Sequence, residues 1–471
     1  MILGVADQQH RNDIDKLSKK VGEFYAAKTP FRIFHGTTNS TRILSFKRSE
    51  MLDVSQLNRV LSIDSATQTA VVEPNVSMDQ LLTATLRYGL LPPVIPEFPG
   101  ITVGGGIQGG AGESSSFKWG FFSQTVNWLE FILADGRVVT SSAAENSDLF
   151  YGSAGSSGSL GVVTAAELQL IPAKNYVQLT YVPVASFKQA TETMLGLTSS
   201  DNDFIDCIMF GADHGLIITG RLTDTITGKA QRFSRAYDPW YYLHVEKIDR
   251  EGQPSVETVP LRDYLFRYDR GAFWVGRFAF ERFGVPFNRL TRFVLDPILH
   301  TRKLYQALQD SGASQEHIVQ DLTLPLATAE AFMQYIDKEF GIYPLWFCPV
   351  KPAAKSPLLC NGLATPLAIN IGVWGPQITS YSQFVKSNKS IEAKLQELRG
   401  KKWLYAHTHY TKKEFWKIYD KQWYDELRKK YVAETLPDLY EKTRVRQHYP
   451  VNAKRGLFKT IFGITKLRIQ E

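Results

Sequence analysis

Cysteine is scarce in this chain: Cys207, Cys348 and Cys360 are the only three among 471 residues, and they lie far apart. An odd, scattered set without a CxxC pair excludes a disulfide framework and argues against a structural zinc site. It fits a reducing compartment, with each thiol buried as a small hydrophobe. Also missing is any apolar run of the roughly 18–20 residues that a spanning helix needs, because Pro, Gly or a charge interrupts each candidate. The start, MILGVADQQHRNDID, lacks a basic segment followed by an apolar stretch and a small-residue cleavage site. Neither a secretory signal nor a membrane anchor is therefore expected, and the setting predicted is cytoplasmic. No P-loop GxxxxGK[ST] occurs, and no GxGxxG follows the first predicted strand with an acidic residue about 20 positions on.

What is present is ordinary for a globular protein, with 44% hydrophobic and 21% charged residues. That excludes disorder, collagen-like repeats and coiled coil as the main architecture. The net charge of +7 is uneven. After residue 400, 17 Lys and Arg stand against 8 Asp and Glu, whereas the first 400 residues hold 37 against 39. Without an aromatic-interleaved RNA motif or a helix-turn-helix pattern, nucleic acid is not expected as a partner. The tail AKRGLFKTIFGITKLRI sets Leu457, Phe458, Ile461, Ile464 and Leu467 against Lys454, Arg455, Lys459 and Lys466. A basic amphipathic helix of this kind lies in a membrane interface, or else docks on its own protein with the basic face solvated.

Residues 8–28 read as an amphipathic helix, and Phe31 to Phe34 as a short strand. Strands follow over 57–63 and 69–73. Ser77 with Gln80 makes a capping box for a helix from Met78 to about Tyr88. LPPVIPEFPGITVGGGIQGGAGESSS suits neither helix nor ordinary strand and reads as an extended, close-approach segment. VNWLEFILADGRVVTSS reads as a hairpin turning at Asp135-Gly136. From about Lys174 longer strand–helix alternation begins, rich in aromatics. The division expected is 1–173, 174–400 and 401–471.

Three small-residue segments carry the chemistry: His35–Thr41, Thr102–Ser116 and Gly155–Val163. Successive N–H groups in such loops form anion-binding concavities, and missing side chains let the backbone approach a diphosphate. The hydroxyls of Thr37, Thr38, Ser40 and Thr41 add donors.

TVGGGIQGGAGESSSFKWGFF, LADGRVV, ENSDLFY and GSLGVVTAAELQLIPAK, in this spacing, resemble the vanillyl-alcohol-oxidase (PCMH) type of FAD-binding fold. Within it, YDPWYYLHVE, PLRDYLFRYDR, HIVQDLTLPL, IYPLWFCP, INIGVWG and EFWKIYD resemble segments of the delta-24-sterol reductases. The resemblance implies an α+β protein: an FAD domain built from the N-terminal portion, with the C-terminal segment returning to it, around an α+β substrate cap. It implies that the loop His35, Gly36, Thr37, Thr38, Asn39, Ser40 and Thr41 lies on the FAD pyrophosphate. Thr102, Val103, Gly104, Gly105, Gly109, Ser114 and Ser115 would line the pyrophosphate and isoalloxazine, and Gly158, Gly161 and Val163 would touch the flavin from the other side. Thr38 stands where many relatives of the wider fold carry a flavin-linked His, so the FAD is expected to be non-covalent. NADPH is the implied hydride donor, although no separate motif for it is visible. The implied substrate is a sterol or related isoprenoid lipid, and the implied setting is the cytosolic face of a membrane such as the endoplasmic reticulum.

The sequence departs from that group at Pro99-Gly100, at Phe117-Lys118-Trp119-Gly120, and at Tyr405-Ala406-His407-Thr408-His409. Reduction of an isolated alkene needs a proton donor beside the flavin, kept protonated by an apolar site. Glu113 is the leading candidate; the alternative is a carboxylate that accepts loop N–H bonds. His407 and His409, alternating on one strand face, are candidates for an acid/base pair, and Lys118 for a proton relay. No third ligand lies near the histidines in sequence, so no metal is expected. Trp240, Tyr241, Tyr242, Phe273, Trp274, Tyr343, Trp346 and Phe347 are candidates for the wall of a sterol-sized pocket, or for simple cap core. Two rival readings remain at this level: a flavin-dependent alcohol oxidase or dehydrogenase, and a lipid-binding protein with a vestigial flavin site.

Overall fold

The computed structural model describes residues 5–228, 230–376, 380–446, 448–461 and 467–470. Two antiparallel sheets organise it. The first has five strands in the order Val60–Asp64, Thr69–Val72, Val162–Gln169, Val126–Ile132 and Val138–Ser142. The second has eight, in the order Ser255–Pro260, Tyr176–Val184, Gly215–Thr223, Phe204–Met209, Leu345–Val350, Ala368–Pro376, His317–Pro325 and Lys401–Lys402. Burial in the five-stranded sheet follows the alternation expected of a half-solvated face: Val72 and Ala70 point inward while Thr69 and Val71 are half-buried.

The two sheets share one apolar core, running from Val72, Phe122 and Phe131 to Tyr264, Trp346 and Trp374. The segment after Gly112 stitches them together, since Ile205 N–H donates to Ser114 O and Lys351 N–H to Ser116 O, both at 2.9 Å. Residues beyond 400 return to the N-terminal portion. Arg468–Gln470 pairs in parallel with Ser45–Lys47, Arg428 donates to Ser159 O, and Tyr424 Oη bonds Ser159 Oγ. The helix Val5–Ala26 is fastened to the five-stranded sheet by His10, which bridges Glu73 at 2.8 Å and Glu130 at 3.0 Å. All three cysteines are free and buried.

Three local expectations are corrected. The glycine-rich segment is not extended throughout: Val103–Gly109 is helical, capped by Thr102 Oγ1 accepting from Gly105 N–H, and it ends at Gly110 with φ +74°. Glycine costs a helix about 1 kcal/mol per residue, and close packing offsets that here. A Cβ on Gly104 would come within 2.8 Å of Pro74, and one on Gly106 within 3.0 Å of Phe122. Ser77 does not form the capping box, because its hydroxyl is drawn to Asp79 Oδ1 at 2.5 Å, and Asp79 is clamped by Arg302. His407 and His409 lie in an irregular segment rather than on a strand.

Candidate active site

A cavity of about 620 Å³ opens where the three small-residue segments meet the second sheet. Its wall combines two contrasting sets of side chains. One is polar and cationic, with Arg32, His35, Thr37, Gln108, Ser157 and Lys442. The other is aromatic and aliphatic, with Phe98, Phe273, Phe280, Leu299, Trp346 and Trp374.

The polar set fits a dinucleotide. Lys442 Nζ donates to Gly158 O at 2.9 Å and has no carboxylate partner among the described residues. Burial, reinforced by Arg32 and Arg428, pulls it down to about 7. Burial likewise pulls Arg42 down to about 9, with Arg32 adding to the effect. Arg32, Arg42 and Lys442 are half-buried on one cavity wall, and none has a carboxylate partner among the described residues, which makes a site for an anion. Two side-chain nitrogens on the same wall, His35 Nδ1 and Gln108 Nε2, are buried and have no hydrogen-bond partner among the described residues. The amides of Thr37, Thr38 and Asn39 meet no protein acceptor among the described residues. The N–H groups at the start of the 103–109 helix are already committed: Val103 to Val76 O, Gly104 to Pro74 O and Gly105 to Thr102 Oγ1. The first loop and the cations, rather than that helix end, therefore offer the donors.

Of the residues expected at the cofactor, His35, Thr37, Thr38, Asn39, Ser40, Thr41, Thr102, Gly104, Gly105, Gly109 and Val163 line the cavity. Gly36, Val103, Ser114, Ser115, Gly158 and Gly161 do not. Val103 is turned into the core, and Gly158 lies behind Lys442, whose Nζ would be 3.3 Å from a Cβ added there. Ser114 and Ser115 are occupied by Glu113: Ser114 Oγ donates to Oε2 at 2.7 Å, Ser115 N–H donates to Oε1 at 2.9 Å, and Ser115 Oγ also reaches Oε1.

Glu113 is thus bound within its own loop, by two serine hydroxyls and one N–H, and it is off the cavity wall. Burial raises its pKa, although the serine bonds and Arg267 work against that. The carboxyl on the wall is Glu97, 7% exposed, with Oε1 lacking a hydrogen-bond partner among the described residues. Burial first, and the nearby charge of Glu113 second, raise Glu97 well above the usual carboxyl range. Sequence reading missed it; the available signal was a single acid inside the apolar, proline-rich stretch LPPVIPEFPG. Arg267 stands behind both acids, held by Asp206 Oδ2 at 2.8 Å and stacked on Tyr264 and Tyr268. A second wall carboxyl, Asp321, accepts from Tyr405 Oη at 2.5 Å and from Asn370 at 3.3 Å. Burial, opposed by those two bonds, brings it up to about 6.

The remaining expected catalytic groups lie elsewhere. His407 Nδ1 bonds Thr41 Oγ1 at 3.0 Å, and its ring stacks on His409 with centroids 6.2 Å apart. Burial holds His407 neutral and takes His409 down to about 3. Neither ring lines the cavity; His407 braces the first loop through Thr41. Lys118 is a half-exposed surface residue paired with Asp203 at 2.9 Å.

Among the aromatics, Phe273 and Trp346 reach the cavity and Trp374 joins them, while Trp240, Tyr241, Tyr242, Trp274, Tyr343 and Phe347 do not. Trp240 packs under Gly271, and Trp274 supports the wall from behind by donating to Trp374 O at 2.7 Å. Tyr343 bonds Asp337 at 2.7 Å in a separate cluster, where Phe347 also packs. Phe273 stacks face to face on Tyr268 and is held with φ +61°, directly after Ala272 at +46°. Two successive non-glycine residues in the left-handed region are costly and mark a tightly determined wall. Trp374, in INIGVWG, went unselected because a strand tryptophan buried on both sides reads as core.

Of the basic tail, the helix Ala453–Ile461 is present, with Ala453 and Gly456 on the cavity wall. Ile464 and Lys466 lie outside the described residues, as do the side chains of Leu457, Phe458 and Ile461. Among the described residues no helix is long and apolar enough to cross a membrane.

Residues 11–142 match the model of an FAD binding domain. The delta(24)-sterol reductase of Rattus norvegicus is 30% identical over 460 residues, which is 93% of this chain and 87% of the relative. That of Pisum sativum is 30% identical over 444 residues, covering 86% and 78%. A shorter match, 36% over 123 residues and 26% of this chain, is to the decaprenylphosphoryl-beta-D-ribose oxidase of Mycolicibacterium smegmatis. With an FAD-binding domain and this identity along nearly its whole length, the chain is an FAD-dependent oxidoreductase and belongs to the delta(24)-sterol reductase family.

Proposed function

We propose that this protein reduces a carbon–carbon double bond in the aliphatic tail of a sterol or related isoprenoid lipid, with NADPH as the source of hydride and non-covalent FAD as the carrier. In this reading, residues 1–173 with the returning segment after 400 hold the cofactor, and 174–400 hold the lipid. Bound FAD supplies the chemistry of accepting two electrons with a proton from one partner and passing a hydride to the other. The protein's own residues do the rest. Arg32, Arg42, Lys442 and the first loop hold the diphosphate, while Phe273, Trp346 and Trp374 give the alkene a dry surface.

The observation that carries the reading is Glu97, a buried carboxyl on the cavity wall with an oxygen that has no hydrogen-bond partner among the described residues. An isolated alkene is a poor hydride acceptor until one carbon is protonated. A carboxylic acid kept neutral by an apolar site is suited to give that proton to the less substituted carbon, and the more substituted carbon then receives the hydride. An alcohol oxidase would instead need to take a proton from its substrate's hydroxyl, a task for which Glu97, kept neutral by burial, is unsuited. Anaerobic titration of the FAD-loaded protein with NADPH, followed in the visible flavin band, tests the reading. Bleaching, then recovery on adding a sterol with an unsaturated tail, is the expected result. Bleaching by an alcohol but not by NADPH would replace this reading with the alcohol oxidase or dehydrogenase, and protein that cannot be loaded with FAD would favour a vestigial flavin site.

A further inference from the structure

Three of the exposed large apolar side chains among the described residues, two of them the most exposed of all, lie on one helix. The helix Arg289–Leu295 has no buried residue, and Leu290, Phe293 and Val294 are 70%, 49% and 63% exposed. Their spacing of three and four places them on one face of that helix. Phe283, 36% exposed, extends the patch from the end of the preceding helix Gly276–Phe283. An apolar face turned outward on a short amphipathic helix marks an interaction site.

Two further observations identify what covers it. The first is charge: residues 282–295 contain Arg282, Arg289 and Arg292 and no acid. Arg282 is paired with Glu316, whereas Arg289 and Arg292 have no carboxylate partner among the described residues. The second is position. Phe283, Val285 and Leu295, next to the patch in sequence, line the cavity, and Phe283 is exposed, so the cavity approaches the surface beside this helix. The helix Ala453–Ile461 also reaches the cavity wall, through Ala453 and Gly456, and its Lys454 and Arg455 are exposed. An apolar face that carries unpaired arginines beside a lipid-sized cavity is complementary to the surface of an anionic bilayer.

We infer that the helix Arg289–Leu295 is a membrane-docking surface, which inserts Leu290, Phe293 and Val294 among the acyl chains of an anionic bilayer and seats the cavity mouth on it. A lipid then passes from the bilayer to the cavity without crossing water. The inference rests on the lipid-substrate reading only for that cargo; the docking itself stands on the patch.

The test is flotation of the FAD-loaded full-length protein with vesicles of phosphatidylcholine alone or with phosphatidylserine added. The expected result is binding to the mixed vesicles that falls with salt, at least tenfold weaker in L290S/F293S/V294S. Since these three side chains are solvated and off the cavity wall, the variant is expected to keep its FAD and its bleaching by NADPH. No binding of the unaltered protein overturns the inference, as does equal binding by the variant, which would leave the tail as the contact. If sedimentation of the protein alone shows a dimer that the triple variant loses, the patch is instead a self-interface. Turnover of substrate in detergent reports separately on the proposed reaction, so either idea can fail while the other holds.

Discussion

Lys442 Nζ donates to the carbonyl of Gly158 at 2.9 Å, and this bond ties the returning C-terminal segment to the third small-residue loop at the cationic part of the cavity. A lysine held down to about 7 by burial and by Arg32 and Arg428 is only partly charged in the free protein at neutral pH. A diphosphate beside it favours the charged form, so FAD binding takes up a proton above pH 7. The affinity for FAD is expected to weaken by up to about tenfold per pH unit above 7, following the linkage between protonation and binding. Lys442→Met should weaken FAD roughly tenfold or more at pH 7, as expected for losing a charge-assisted hydrogen bond, and should flatten the pH dependence. Quenching of flavin fluorescence at several pH values measures both.

Glu97→Gln keeps the shape and a hydrogen-bonding end but removes the acid. If Glu97 is the proton donor, the variant is expected to retain FAD and its bleaching by NADPH, while reoxidation by the unsaturated lipid slows roughly 10²- to 10³-fold, the usual worth of a positioned acid. Glu113→Gln is expected to act differently. Its carboxyl is bound by Ser114 and Ser115 at the junction of the two sheets, so the change should lower thermal stability more than it lowers the proton-transfer step. Stopped-flow reoxidation alongside a melting curve separates the two acids.

His10 gives the fold a pH signature of its own. Burial lowers its pKa, but hydrogen bonds to Glu130 and Glu73 outweigh that and bring it up to about 9. A folded pKa above the ordinary 6.5 stabilises the native state fully below about pH 6.5, and that contribution is lost as pH rises through 9. The shift corresponds to about 3 kcal/mol at most. Chemical unfolding of the native protein should therefore show stability falling between pH 7 and 9, and His10→Gln should be less stable at pH 6 with a shallower fall. A parallel fall in both proteins would remove His10 as its cause.

How much of this was legible in the residues differs from element to element. The hairpin at Asp135-Gly136 was, because strand alternation and turn chemistry agree there, and Gly136 takes φ +90°. The 103–109 helix was not, since its glycines disfavour helix locally and the compensating contacts come from Pro74 and Phe122, distant in sequence. The first loop was readable from its small polar residues. The cations that complete its site were not, because Lys442 reaches the cavity only once the backbone has returned some 400 residues later. Glu113 stood out in sequence by lying next to serines, and those same serines bind it. Glu97 is marked only by being a lone acid among buried neighbours, a property that sequence shows weakly and burial shows at once.

Asp321 supplies a last test, on substrate binding. Its carboxyl lines the same cavity as Phe273 and Trp374, and burial, opposed by bonds from Tyr405 and Asn370, sets it at about 6. An apolar ligand strips water from whatever it covers, and covering a charged carboxylate costs more than covering a neutral acid. The KM for the lipid is therefore expected to rise as pH passes up through about 6, with little change in the NADPH half-reaction. Tyr405→Phe removes a hydrogen bond that favours the charged form, so the inflection should move to higher pH. Asp321→Asn removes the titrating group, and the KM profile should become flat across that range. An inflection that persists unchanged in Asp321→Asn would assign the pH dependence to another group on the wall, with Glu97 the next to examine.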